Sequence, residues 1–221
     1  MISISKDIVN ATILKYKIDI DIFTWTAQKN LYGLLERKVF LSISLENIYI
    51  QKIIDNLEKM VVAEQSEFES YIDSFDKIIP TAIVSNDSYK NFRKEVIEAM
   101  NYKGLRSSFY PKYFKEIGIK TCVYCNSQIA VAVDYKEYLK TKIKYYVIAK
   151  FQVDHSIPKN NCPFLSISLF NLYPACSSCN ISKSTIEVKF KLYTSDKKNN
   201  QFSRYHFKLL NGSIIKYLKE K

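Results

Sequence analysis

A chain of 221 residues, 47% apolar and 25% charged, is long enough for one large domain or two small ones and too apolar for a disordered tail. Four glycines and five prolines leave little room for flexible linkers, and no uncharged run reaches the roughly 18 to 20 residues of a membrane span, so a cytoplasmic protein is expected. The charge of +11 is lopsided: residues 1–110 carry 14 basic and 15 acidic side chains, residues 111–221 carry 19 and 7. Two explanations of that basic half fit equally, a polyanionic partner with nucleic acid first, or a solvated lysine-rich surface.

In chain order, Ile22 to Arg37 is a weak helical segment, and Leu45 to Phe75 is a strong one. There Ile50, Ile53, Ile54, Leu57, Met60, Val61, Phe68, Tyr71, Ile72 and Phe75 recur at steps of three and four, which predicts one apolar helical stripe. Ser44 is placed to cap it, Glu46 suits its first turn, and Pro80 stops anything continuing that far. A further helix is predicted over Ser88 to Tyr102, with Gly104 just beyond its end. After Cys125 the pattern changes to short runs rich in Val, Ile and Tyr, at Ile129 to Val133, Lys144 to Ile148 and Phe151 to Val153, which read as strands. A helix can then begin near Ser178, within a stretch ending about Lys191. The fold class expected is α+β, a helical region over residues 1–110 followed by a second unit over 111–221.

Cysteine usage is the strongest local signal. Cys122-Val-Tyr-Cys125 and Cys176-Ser-Ser-Cys179 each bring two thiolates onto one ion, and together they complete a four-sulfur zinc site. The gap of 50 residues between the pairs is far longer than a simple zinc ribbon needs, so something is inserted between the knuckles. Cys162 stands alone and reads as a packed thiol, and His206 has no partner motif.

Inside the insertion lies Phe151-Gln-Val-Asp154-His155-Ser-Ile-Pro158-Lys159, an apolar strand end followed by an acid and an imidazole. Asn171 follows in Leu169-Phe-Asn171-Leu-Tyr-Pro, and Asn180 and Lys183 come directly after Cys179. Individually Asp154, Asn171 and Asn180 are ordinary turn or capping residues, His155 a polar residue at a strand end, and Lys159 and Lys183 ordinary solvated lysines. In this order and spacing the stretch from Cys122 to Lys183 resembles the HNH nuclease superfamily.

That resemblance implies the ββα-metal fold stapled by the four cysteines, with His155 as general base, Asp154 and Asn180 as ligands of a catalytic metal, and Asn171 holding the loop that carries the base. Many relatives have His where this chain has Asn180. The chemistry agrees with those roles: phosphodiester hydrolysis needs a cation on the phosphoryl oxygens and a base titrating near neutrality, and oxygen donors favour Mg²⁺ or Mn²⁺ over zinc. Lys183 and Lys159 are the candidate contacts to substrate phosphate. The residues from Met100 through Cys122 also look like the lead-in of bacterial HNH proteins that act in anti-phage defence beside an ATPase, as in Septu-like systems. By that analogy residues 1–110 would dock a partner and regulate the nuclease. The expected substrate is DNA ahead of RNA. The rival expectations are a zinc-stabilised module that binds nucleic acid without cutting it, and an RNA-cleaving enzyme of the same fold.

Overall fold

The computed structural model describes residues 4–41, 44–138, 142–186, 188, 192–194, 205–210 and 214–219. The predicted stripe after Leu45 forms two helices rather than one. In α3 (Leu45–Val62) the Ser44 carbonyl accepts the amides of Asn47 and Ile48 at 3.0 and 3.3 Å, so Ser44 caps through its backbone while its side chain makes no capping bond. Ala63 then turns extended at φ −60°, ψ 136°, and Glu67 reaches back to the Glu64 amide at 2.8 Å to start a new helix. That helix is α4 (Phe68–Asp76), and both keep their apolar faces on one core.

Ahead of α3 lie α1 (Lys6–Lys15) and α2 (Lys17–Leu41), the latter longer at both ends than the segment expected there. After α4, the Asp76 carboxylate accepts from the Thr81 amide and hydroxyl at 2.8 and 2.6 Å and turns the chain through Pro80 into the short α5 (Thr81–Val84). The helix expected up to Tyr102 ends earlier. In α6 (Lys90–Ala99) the run closes at Asn101, whose φ of 55° makes the left-handed turn expected of Gly104. Gly104 lies inside α7 (Tyr102–Ser108), where a Cβ would come within 2.4 Å of the Asn101 side-chain oxygen. Finally α8 (Tyr110–Ile117) ends on Gly118 at φ 81°.

Downstream the chain forms two-stranded pieces. Strands β2 (Ala132–Tyr138) and β3 (Ile143–Ala149) make an antiparallel ribbon, and β4 (Gln152–His155) pairs antiparallel with β5 (Leu172–Ala175). Helix α9 (Ser177–Lys183) follows at once. A parallel bridge joins β1 (Ile4–Ser5) to β6 (Tyr193–Thr194), and β7 (Tyr205–Leu210), carrying His206, pairs with β8 (Ile214–Lys219). The architecture is mixed helix and strand, in the α+β class. Among the described residues no helix is long and apolar enough to cross a membrane.

One continuous core crosses the boundary expected near residue 110. The rings of Phe75 on α4 and Phe164 stack at 4.0 Å and 8°, with Tyr49 of α3 against Phe164 at 6.2 Å. The Ser168 hydroxyl donates to the Met60 carbonyl at 2.6 Å, Gln65 donates to the Tyr173 hydroxyl at 2.8 Å, and Tyr102 donates to the Val153 carbonyl at 2.8 Å. The helices are thus the wall against which β4, β5 and the loop between them are packed. Cys162 lies in that core, 1% exposed and apart from the other cysteines.

A shared core predicts a shared transition. Phe164→Ala should lower stability by about 3–5 kcal/mol, because Phe164 is buried between two helices that cannot close the gap. Urea unfolding followed by far-ultraviolet dichroism and by tyrosine fluorescence should give coincident curves in both proteins; separate midpoints for the helical and strand signals would contradict a common core.

Candidate functional site

The site begins with a turn that aims two thiols. Cys122 donates its amide to the Gln128 carbonyl at 2.8 Å, and its carbonyl accepts from Asn126 at 2.9 Å. Asn126, at φ 52°, closes the turn, with its side-chain oxygen accepting from the Thr121 hydroxyl at 2.6 Å. Val123 donates to the Pro174 carbonyl at 3.3 Å, which ties this knuckle to β5. The second knuckle is the start of α9: Cys176 is its N-cap, and its sulfur accepts from the Cys179 amide at 3.4 Å.

All four sulfurs, from Cys122, Cys125, Cys176 and Cys179, lie within 4.8 Å of one another, and Cys122 and Cys176 are buried. Tetrahedral Zn–S bonds of about 2.3 Å put sulfurs about 3.8 Å apart, so the group could hold a metal ion such as zinc. Electrostatics favours the same conclusion. Burial pushes the Cys122 and Cys179 thiols up, while bonds from Ser127 and Gln128 bring Cys125 down to about 6 against its own desolvation. Four thiols this close do not ionise together without a cation among them.

From this anchor the β4–β5 hairpin and α9 position the other sequence-predicted residues. Alternation along β4 puts Gln152 and Asp154 on one face and Val153 and His155 on the other. Helix α9 lies on the first face: Asn180 donates to the Gln152 side-chain oxygen, and one turn on, Lys183 Nζ sits 3.2 Å from Asp154 Oδ2 and donates to the His155 carbonyl at 2.7 Å. The Tyr124 hydroxyl, from inside the first knuckle, donates to the same Asp154 oxygen. Burial, then the Asp154 charge, keeps that phenol protonated and therefore a donor.

His155 is 3% exposed. Its Nε2 lies 2.9 Å from the Ser166 carbonyl, and because a carbonyl can only accept, Nε2 carries the proton and Nδ1 the lone pair. The Tyr102 ring lies over the imidazole at 4.8 Å between centroids, and Lys159 Nζ sits 5.2 Å from the Tyr102 ring centre. Burial, reinforced by the charges of Lys159, Lys183 and Arg106, lowers the imidazole pKa to about 3, so the ring is neutral at cellular pH. Burial and the neighbouring Arg106 also lower the Lys159 ammonium.

Asn171 is fully buried and acts as a staple. Its side-chain oxygen accepts the Ile157 amide at 2.8 Å, its nitrogen donates to the carbonyls of Ile157 and Leu165 at 3.1 Å each, and its backbone carbonyl accepts the Ser156 amide at 2.8 Å. The loop leaving His155 is thereby fixed at its start and at Leu165, next to the carbonyl that orients the imidazole.

The structure thus brings Asp154, His155, Asn171, Asn180, Lys183 and Lys159 around one hairpin, Asn180 at its Gln152 end and the others toward its His155 end. Lys183 is not the ordinary solvated lysine of the alternative reading: its side chain is 9% exposed and bound to Asp154. Tyr102, Tyr124 and Arg106 were not expected. Tyr124 sits inside the first CxxC and was open to notice there, whereas Tyr102 and Arg106 reach the site through the fold and carry no local signal. For a second cation, the donor set of Asp154 and Asn180 fits a hard ion by its oxygen chemistry, and the ammonium of Lys183 already balances the carboxylate charge.

Two measurements follow. Purified protein should carry one zinc per chain, and Cys176→Ser should lose it together with several kcal/mol of stability, read by elemental analysis and urea unfolding; a metal-free wild type of unchanged stability would remove the cluster's role. The second concerns His155. In the unfolded chain its imidazole titrates near 6.5 and in the folded chain near 3, so the unfolded state alone takes up a proton between those values. Its contribution is complete above pH 6.5 and falls as pH drops. Between pH 7 and 5, in Mg²⁺-free buffer, wild type should lose about 2 kcal/mol more than His155→Gln. Equal losses would mean a solvated imidazole.

Comparison with models of protein families, with curated proteins and with solved structures finds no match.

Proposed function

We propose that this chain is a metal-dependent endonuclease of the HNH type, hydrolysing phosphodiester bonds with DNA ahead of RNA. The observation that carries the reading is the convergence on β4: Asp154 and His155 end the strand, Asn171 staples the loop behind them, and α9 lays Asn180 and Lys183 along the same strand from the second knuckle. Hairpin, helix and four-sulfur group are the parts of a ββα-metal unit.

In this reading His155 is the general base. Its Nε2–H is held by Ser166, so Nδ1 is the acceptor; burial keeps the imidazole neutral but far less basic than a base working near neutrality, so the reading requires the site to open and solvate the ring before it takes a proton from water. Asp154 and Asn180 would hold Mg²⁺ or Mn²⁺ through oxygen, which when bound would neutralise the phosphoryl and leaving oxygens. Lys183 keeps the Asp154 charge balanced and, on release, has its ammonium beside the substrate phosphate. The Tyr102 ring packs on the imidazole, which is 3% exposed, so the site must open for water to reach it. The likeness to Septu-like proteins extends the proposal to anti-phage defence with an ATPase partner, which copurification from cells would test.

A specific observation favours the rival reading of a non-cutting zinc module: His155 is buried and Asp154 is already paired with Lys183. Cleavage separates the two. Supercoiled plasmid and a structured RNA are incubated with full-length protein with Mg²⁺ present or omitted. Nicking should require Mg²⁺ and fall about 10²- to 10⁴-fold in His155→Gln, which should retain zinc and its dichroism spectrum. Alanine is the poorer choice here, since it leaves the buried Ser166 carbonyl without its donor at about 1–3 kcal/mol. A variant that cuts as fast as wild type would remove His155 as base, and a wild type that binds but never cuts would leave the binding module.

A further inference from the structure

The ribbon β2–β3 is not explained by the zinc group or by the hairpin end. It is inserted between the first knuckle and β4, and its register runs from Ala132 opposite Ala149 to Tyr138 opposite Ile143. Seven residues at about 3.3 Å each make it about 23 Å long. Such a ribbon normally buries one face, because two strands alone are marginal in water. Here both faces are open along most of the length. One carries Lys136, Tyr138, Ile143 and Tyr145, with Tyr138 75% and Tyr145 65% exposed. The other carries Tyr135, Tyr146 and Lys144, with Glu137 opposite Lys144.

The paired residues carry one lysine on each face, Lys136 and Lys144, and two acids, Asp134 and Glu137, while Lys142 and Lys150 flank β3 and bring the excess charge of the arm to its two ends. Lys136, Lys142, Lys144 and Lys150 are all exposed, and of the two acids Asp134 is paired with Lys115. Lys136 lies over the Tyr145 ring at 5.4 Å and Lys144 over Tyr146 at 5.7 Å, so the tyrosines hold one ammonium up on each face. The tyrosines Tyr135 and Tyr146 pack on each other across the strands at 5.0 Å and stiffen the ribbon.

We propose that the β2–β3 ribbon is an arm that enters a groove of duplex DNA, with Lys136 and Lys144 facing the two phosphate walls. A DNA major groove about 12 Å wide admits a two-stranded ribbon, and cations on opposite faces of the ribbon match a cleft lined by phosphate on both sides. A single strand would meet one face and leave the other lysine unused. The placement also serves the site. Only Lys150 and Phe151 separate the end of β3 from the start of β4, and Phe151 is packed edge-on against Phe114 of α8 at 5.4 Å. A duplex held on the ribbon is therefore held by the element that runs into Asp154 and His155. The inference rests on the nuclease reading for its substrate class.

The test uses full-length protein, zinc-loaded, without Mg²⁺, titrated onto a fluorescein-labelled duplex and the matching single strand between 50 and 200 mM salt. Lys136→Ala/Lys144→Ala should weaken duplex binding at least tenfold at 50 mM and flatten the slope of log K against log salt by about 2, one per lost phosphate contact. Lys90→Ala/Lys94→Ala on α6, with the same change in net charge, should leave the slope unchanged. The ribbon proposal is overturned if both double variants weaken binding equally, if the ribbon variant binds like wild type, or if wild type prefers the single strand. Mg²⁺-dependent nicking by wild type is scored alongside: nicking with an unaffected ribbon variant rejects the arm and keeps the nuclease, while ribbon-dependent binding without nicking rejects the nuclease and keeps the arm.

Discussion

Four sulfurs drawn within 4.8 Å of one another are the constraint on which the site depends. They come from two tight turns separated by 50 residues of chain, and gathering them closes that loop whatever lies inside it. In the closed arrangement the second knuckle begins a helix at Cys176, and that helix lies along β4. Asn180 and Lys183 then meet Gln152 and Asp154 because they sit one turn apart on α9, while those partners sit two residues apart on a strand. The hairpin gains little from its own two short strands, so it is held from outside, by sulfur at one end and by the helical wall at the other.

That wall explains why the helical half is inseparable from the candidate site. Tyr102 of α7 covers the imidazole and bonds the carbonyl beside it, Met60 of α3 receives Ser168, and Phe75 of α4 stacks on Phe164 in the loop that Asn171 staples. Each contact narrows the freedom of the segment between His155 and Leu172. A helical region that served solely to recruit a partner would not need to reach inside the site. The result is an imidazole with one tautomer, one orientation and no charge, at the cost of being covered.

How much of this was legible in the sequence depended on distance along the chain. The knuckles, the Asp154–His155 pair and Asn180 announce themselves because their spacing is local. The helical stripe after Leu45 was legible as an apolar face, yet its break at Ala63 was not, since both helices turn the same face to one core and the periodicity carries across the gap. Gly104 looked like a cap because glycine is the default for a left-handed turn, and Asn101 took that conformation instead. Strand β5 was overlooked because Leu172–Ala175 contains Pro174, which disfavours a strand unless its missing amide is tolerated at an edge. Burial of His155 could not be read at all: it comes from Tyr102 and the loop to Ser166, and with it goes the expectation of an imidazole titrating near 6.5. Lys183 looked like a surface cation for the same reason.

The tension that remains is on Asp154, a nearly buried carboxylate whose charge is balanced by Lys183 and which the nuclease reading needs for a divalent ion. Manganese binding followed by electron paramagnetic resonance addresses it directly, because zinc is silent in that experiment. Zinc-loaded wild type should bind one Mn²⁺ per chain and Asp154→Asn should bind it at least tenfold more weakly with zinc retained. No Mn²⁺ on wild type, or equal binding by the variant, would contradict a metal-dependent centre at this hairpin.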